Sequence, residues 1–113
     1  MTIYLDHNAT TPIDPRVLAA MEPYLGAAYG NASSIHRLGR LSRGAVERAR
    51  EQVAALLGAH PDEVVFTSGG TEANNAALKG VAATEPDGTV AVSAIEHASV
   101  LETAAALGPY GWK

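Results

Sequence analysis

The stretch Val64-Val65-Phe66-Thr67-Ser68-Gly69-Gly70-Thr71-Glu72-Ala73-Asn74-Asn75 changes character within a few residues. Val64 to Thr67 is a β-branched and aromatic run of the kind that fills a buried strand. Ser68-Gly69-Gly70 breaks it at once. Thr71 to about Ala83 then favours helix, with Ala73, Ala76, Ala77 and Gly80 forming a small-residue face able to lie close on a sheet. Downstream, Pro86-Asp87-Gly88 reads as a turn, Thr89 to Ala94 as a second strand, and Ala98 to Leu107 as a further helix with Leu101, Ala104 and Leu107 on one side. Strand, helix, strand, helix in that order predicts an α/β chain built on a parallel βαβ unit with a right-handed crossover. The last segment, Gly108-Pro109-Tyr110-Gly111-Trp112-Lys113, is a turn that leads into the first residues of another strand. Two strands alone leave their edges unpaired.

Upstream of the stretch, Ile3 to Leu5 is a short extended segment running into the polar loop Asp6-His7-Asn8-Ala9-Thr10-Thr11-Pro12. Asp6, Asn8 and Thr10 suit an Asx-type turn. Asp14-Pro15 marks a helix start: Asp caps a main-chain N–H, and Pro at the first position loses a donor that has no partner there. That helix carries Val17, Leu18, Met21 and Leu25, with Pro23 weakening its second half. Gly30-Asn31-Ala32-Ser33-Ser34 is a loop, and Asn31, Ser33 and Ser34 are the expected caps of the helix after it. That helix runs from about Ile35 to Leu57. Leu38, Leu41, Ala45, Ala49, Val53, Leu56 and Leu57 step by three or four along it, the pattern of one buried face. Gly58 suits its C-terminal cap.

Composition narrows the function classes. The 113 residues are 47% hydrophobic and 18% charged, which favours a folded chain, and the net charge is −4. Neither nucleic acid nor an anionic membrane surface is supported, since both need clustered Lys and Arg. The basic residues from Arg37 to Arg50 are interleaved with Glu47 and read as a solvated helix face. There is no cysteine, so no disulfide framework, thiolate metal site or cysteine nucleophile lies within these residues. The start, MTIYLDHN, does not have the form of a signal peptide. No apolar run approaches the roughly 18 residues of a membrane span. A soluble cytoplasmic protein is the expectation.

Two places carry chemistry. The first is Ser68-Gly69-Gly70-Thr71 between strand and helix. The leading N–H groups of a helix lack intrahelical partners and sit at its positive end, glycines let a phosphate approach the backbone, and Thr71 and Ser68 can add hydroxyls. A plain strand-to-helix turn with glycines for conformational reasons accounts for the same letters. The pattern is neither the P-loop nor the dinucleotide fingerprint. The second is Glu96-His97 just past the second strand. Ligands of open α/β sheets collect at the carboxyl ends of strands. An imidazole there can stack on an aromatic ligand or exchange a proton, although a histidine so placed is more often a surface or satisfied core residue. His7, His36 and His60 lack metal-ligand spacing, so no metal site is expected. Lys79 falls mid-helix and Lys113 is the last residue. Neither has the setting that lowers a lysine's pKa for covalent catalysis.

Taken together, four segments resemble the NifS/IscS-type cysteine desulfurases of the class V aminotransferases: Tyr4 to Pro12; Gly30 to His36 with Gly39-Arg40; Phe66 to Asn75; and Glu96-His97-Ala98-Ser99-Val100. They occur in the family's order and spacing. Ala32 departs from the family's frequent proline, and His7 from its usual polar residue.

The resemblance implies part of the three-layer α/β/α large domain of the fold-type-I, aspartate-aminotransferase-like enzymes that depend on pyridoxal 5′-phosphate. It implies that residues 1–13 join the small domain and 14–113 begin the large one. Gly70 and Thr71 would hold the cofactor phosphate. His97 would stack on the pyridine ring as both cofactor-binding and catalytic residue. The loop Asp6 to Thr11 would border the substrate pocket. The implied reaction converts L-cysteine to L-alanine and an enzyme persulfide, with a sulfur acceptor or iron–sulfur scaffold as partner and a homodimer as the parent assembly. Another class V enzyme, such as a transaminase or selenocysteine lyase, and a non-catalytic or complementing polypeptide are the other readings. The family's cofactor-binding lysine, persulfide cysteine, pyridine-nitrogen carboxylate and substrate arginine match no position here. The chain is therefore expected to be the first third of such an enzyme and inactive alone.

Overall fold

The computed structural model describes residues 3–85 and 87–113. Pro86, the first residue of the expected turn before the second strand, lies outside them, as do Met1 and Thr2. The chain divides after Val64 into two compact units.

In the first unit, helix α1 spans Pro15–Met21. Asp14 caps it as expected: its carboxylate accepts the Arg16 main-chain N–H at 2.8 Å. The Arg16 guanidinium grips the same carboxylate through Nε at 3.0 Å and Nη2 at 2.7 Å, which holds the Asp14 pKa below the usual carboxylate range. Pro23 cannot continue an α-helix, and residues Glu22–Leu25 tighten into a 3₁₀ turn.

Helix α2 spans Arg37–Leu57 and ends on Gly58 at φ 67°, ψ 26°. Gly58 takes that left-handed conformation without the penalty a Cβ imposes. The expected caps Asn31, Ser33 and Ser34 do not cap it. His36 does, with Nδ1 accepting the Gly39 N–H at 3.3 Å. Asn31 instead closes its own loop, accepting the Ser33 N–H at 2.9 Å. That loop lies against Gly39, where an added Cβ would stand 2.3 Å from the Ser34 carbonyl oxygen and 2.7 Å from that of Asn31.

The arginines of α2 are also more than a solvated face. Arg40 donates to the Ile35 carbonyl, Arg43 to that of Ala32 at 2.8 Å, and Arg50 to that of Val64. Guanidinium groups thus fasten the chain on both sides of the helix. The expected apolar face is only partly covered. Ala54 is buried, whereas Leu56 and Leu57 are exposed. The Asp6 loop is closed by main-chain bonds from Ala9 and Thr10 to the Asp6 carbonyl rather than by an Asx turn. The Tyr4 hydroxyl adds bonds to the carbonyls of Asp6 and Thr10.

In the second unit, α3 spans Gly70–Thr84 and packs on α4, Ala98–Ala105. Both expected strands, residues 64–67 and 89–94, are absent as ladders among the described residues. A strand exists only with a neighbour to share its N–H and C=O groups. One parallel bridge, Gly88 to Trp112, marks where such pairing begins. Val90 N–H donates to the Lys113 carbonyl at 2.8 Å and Lys113 N–H to that of Gly88 at 3.0 Å. The nascent strand at the last residues is therefore as read from sequence, and its one bridge is parallel, while the expected parallel crossover unit of residues 64–67 and 89–94 is not formed.

The same cause inverts α3. Its small-residue face, Ala73, Ala76, Ala77 and Gly80, is exposed, and Asn74, Asn75, Leu78 and Ala82 are the partly covered positions. On α4 the buried residues are Ser99 and Thr103, with Leu107 buried just beyond its end.

Candidate functional site

Helix α3 starts on the glycine turn without any side-chain cap. Its leading N–H groups are thus free of side-chain acceptors at the positive end of a helix of 15 residues. Gly69 is extended at φ 168°, ψ 176°, and Gly70 is helical. Neither needs glycine for its conformation. A Cβ added at Gly69 or Gly70 would meet nothing within 4 Å, so no protein atom needs the space either. Glycine here leaves the helix start open to an approaching group.

The turn is fastened from behind. Thr67 Oγ1 donates to the Gly69 carbonyl at 3.0 Å. The Glu72 carboxylate folds back to accept the Ser68 N–H at 2.7 Å and the Ser68 hydroxyl at 2.6 Å. Those bonds stabilise the ionised form and hold the Glu72 pKa below its usual value. The Ser68 hydroxyl is therefore engaged by Glu72, and Thr71 is left as the hydroxyl donor of the turn.

His97 is the N-cap of α4. Its Nδ1 accepts the Ser99 N–H at 3.1 Å and lies 2.8 Å from Ser99 Oγ. Asn74, on α3, donates to that same hydroxyl at 2.8 Å. This side-chain bond ties the two helices near their starts.

Thr71 and His97 line one open cleft of about 480 Å³ between α3 and α4. Asn75 and Lys79 continue its wall along α3, and Ser99, Glu102 and Thr103 along α4. Thr71, Asn75 and Lys79 recur at intervals of four, so one helix face supplies them. The volume suits a small organic ligand. Gly70 is the residue immediately before the Thr71 wall. Lys79, read from sequence as solvated, is exposed and also part of this wall.

Sequence reading missed Asn74, Ser99 and the capping role of three histidines. His36, His60 and His97 each accept a main-chain N–H through Nδ1, at 3.3, 3.4 and 3.1 Å. The usual capping preferences name Ser, Thr, Asp and Asn. The available signal was a histidine directly before each start, of α2, of the 3₁₀ turn Pro61–Glu63 and of α4.

Donors at an uncapped helix end, a hydroxyl beside them, and a flat imidazole in the same cleft fit a phosphorylated aromatic group. The family model described as aminotransferase class-V matches residues 3–111. The chain is 49% identical over 112 residues to "Cysteine desulfurase 2" of Trichormus variabilis, which covers 98% of the chain and 28% of that protein. It is 53% identical over 116 residues to "Cysteine desulfurase, mitochondrial" of Drosophila melanogaster, covering 98% of the chain and 25% of that protein. A solved structure titled "NIFS-LIKE PROTEIN" superposes on the whole chain with a TM-score of 0.87 at 40% identity, using 32% of its own length. The chain thus spans about a quarter to a third of the length of these relatives. Its fold is that of part of the large α/β domain of the fold-type-I transferases. On the match over residues 3–111, the chain belongs to the class-V aminotransferase family.

Proposed function

We propose that these residues supply the phosphate-binding turn and the ring-facing histidine of a pyridoxal 5′-phosphate-dependent cysteine desulfurase. The observation that carries the reading is the shared cleft of Thr71 and His97 at an uncapped, glycine-lined helix start. The names of the relatives, at 49–53% identity, favour L-cysteine as the substrate over a transaminase substrate.

Gly70 and Thr71 would hold the phosphate through main-chain N–H groups and the Thr71 hydroxyl. His97 would lie over the pyridine ring, fixed in place by its bonds to α4. The cofactor, when bound, supplies the electron sink, and the protein supplies orientation and tuning. The sequence has no cysteine, so the sulfur-accepting thiol comes from outside these 113 residues. We assign the parent assembly as a homodimer that passes sulfur to an acceptor or iron–sulfur scaffold. Residues 1–13 would belong to its small domain. We place it in the cytoplasm. Among the described residues no helix is long and apolar enough to cross a membrane.

Phosphorus NMR of pyridoxal 5′-phosphate added to the chain tests the site. The phosphate resonance is expected to shift with the wild-type chain. Gly70→Val, which fills the open space, and Thr71→Ala are expected to weaken binding by about tenfold, the loss of one or two hydrogen bonds to a charged group. Equal shifts in wild type and both variants would sink the assignment.

A further inference from the structure

The hydrogen bonds around His97 define which of its ring nitrogens bears the proton. A main-chain N–H can only donate. The Ser99 N–H lies 3.1 Å from Nδ1, so Nδ1 is an acceptor and carries no hydrogen. Ser99 Oγ stands 2.8 Å from the same atom. Asn74 Nδ2 donates to that oxygen at 2.8 Å, and because Nδ1 has no hydrogen to give, the hydrogen between Oγ and Nδ1 is the hydroxyl's own. Ser99 is 8% exposed, so bulk water competes little for these bonds.

The geometry points to a relay, from the Asn74 amide through the Ser99 hydroxyl to Nδ1, that fixes the neutral imidazole of His97 as the tautomer protonated at Nε2. The nitrogen not held by α4 is then a hydrogen-bond donor. In the cofactor-site reading, on which this use of the relay rests, His97 meets the ligand with an N–H rather than a lone pair. Asn74 and Ser99 are positioning residues that act through it. Fixing the tautomer by bonding the far ring nitrogen is a general means of orienting a functional histidine.

The other histidines serve as references. His36 accepts one main-chain N–H through Nδ1 at 3.3 Å, whereas His60 Nδ1 meets both the Asp62 N–H and the Asp62 carboxylate at 3.4 Å. His7 Nδ1 lies 3.1 Å from the Thr11 hydroxyl.

Nitrogen-15 NMR of the imidazoles in the 113-residue chain, in solution or in the solid state, reads the tautomer directly. His97 is assigned by the signals lost in His97→Gln. At a pH where the imidazoles are neutral, His97 is expected to show a bare Nδ1 and a protonated Nε2. Ser99→Ala keeps the main-chain donor but removes the hydroxyl, and should move both signals toward the average of exchanging tautomers. Asn74→Asp should do the same, since its carboxylate draws the Ser99 proton away from Nδ1. Ser99→Thr, which keeps the hydroxyl, should restore the wild-type pattern. Circular dichroism confirms that each variant keeps its helices. A protonated Nδ1 or averaged signals in the wild type overturn the relay, and so do unmoved signals in both Ser99→Ala and Asn74→Asp. Adding pyridoxal 5′-phosphate separates the two ideas. A fixed tautomer without any phosphorus shift leaves the relay standing and removes the cofactor reading.

Discussion

Glu72 shows how one side chain serves the turn. It lies in the first turn of α3, where a negative charge meets the positive helix end, and it holds Ser68 through both N–H and hydroxyl. Its pKa is lowered in the folded chain. A group with a depressed folded pKa contributes stability above its unfolded pKa and loses it as pH falls through the folded value. The latch is therefore complete above the ordinary glutamate value of about 4.3 and opens below it. Carboxyl carbon NMR is expected to place the Glu72 midpoint below that value, and Ser68→Ala to raise it. An unchanged midpoint in Ser68→Ala would show that Ser68 does not hold the carboxylate. That Thr71 and His97 share one cleft was legible, because each follows a strand-like segment and stands at the start of a helix. Ser99 and Asn74 were not, because a serine and an asparagine on separate helices reveal their bond only when those helices pack.

Helix boundaries were mostly legible, since caps and breakers act locally. Asp14-Pro15, Pro23 and Gly58 each stand where the sequence places them. The long helix begins at His36 through a contact that propensity does not encode. Its third residue, Gly39, is buried beneath the loop carbonyls of Asn31 and Ser34. Ordinary propensity favours alanine over glycine inside a helix by roughly 1 kcal/mol. Gly39→Ala is nevertheless expected to destabilise the first unit by about 1–3 kcal/mol, because main-chain oxygens must move to admit the Cβ. Gly44 is the control within the same helix. A Cβ there would approach only the flexible Arg48 guanidinium at 3.4 Å, so Gly44→Ala should be neutral or stabilising. Thermal melts of the two variants decide it, and equal stabilisation by both would contradict the packing at Gly39.

Across the chain, apolar surface exceeds what the fold covers. Ala54 and Leu107 are the buried hydrophobic residues among those described, while Ile35, Leu56, Val65 and Ile95 are among many large ones left open. Exposed apolar patches bind dyes and other chains. The 113-residue chain is expected to bind a hydrophobic dye such as ANS strongly, to self-associate, and to form no L-alanine from L-cysteine. It has no thiol, and neither Lys79 nor Lys113 is buried. A monodisperse monomer without dye binding, or measurable alanine release, would refute this.

The sequence alone determined the four motif segments and the helix ends marked by Asp14-Pro15, Pro23 and Gly58, because these depend on local chemistry and on residue order. Only the tertiary structure decided that strand-like segments without neighbours stay unladdered, that α3 turns Asn74 and Asn75 inward rather than the face of Ala73, Ala76, Ala77 and Gly80, and that a histidine cap on one helix is bonded through a serine to the next. Each of these depends on which groups meet across space, and hydrogen-bond donors and apolar faces take their partners from whatever the fold brings within reach.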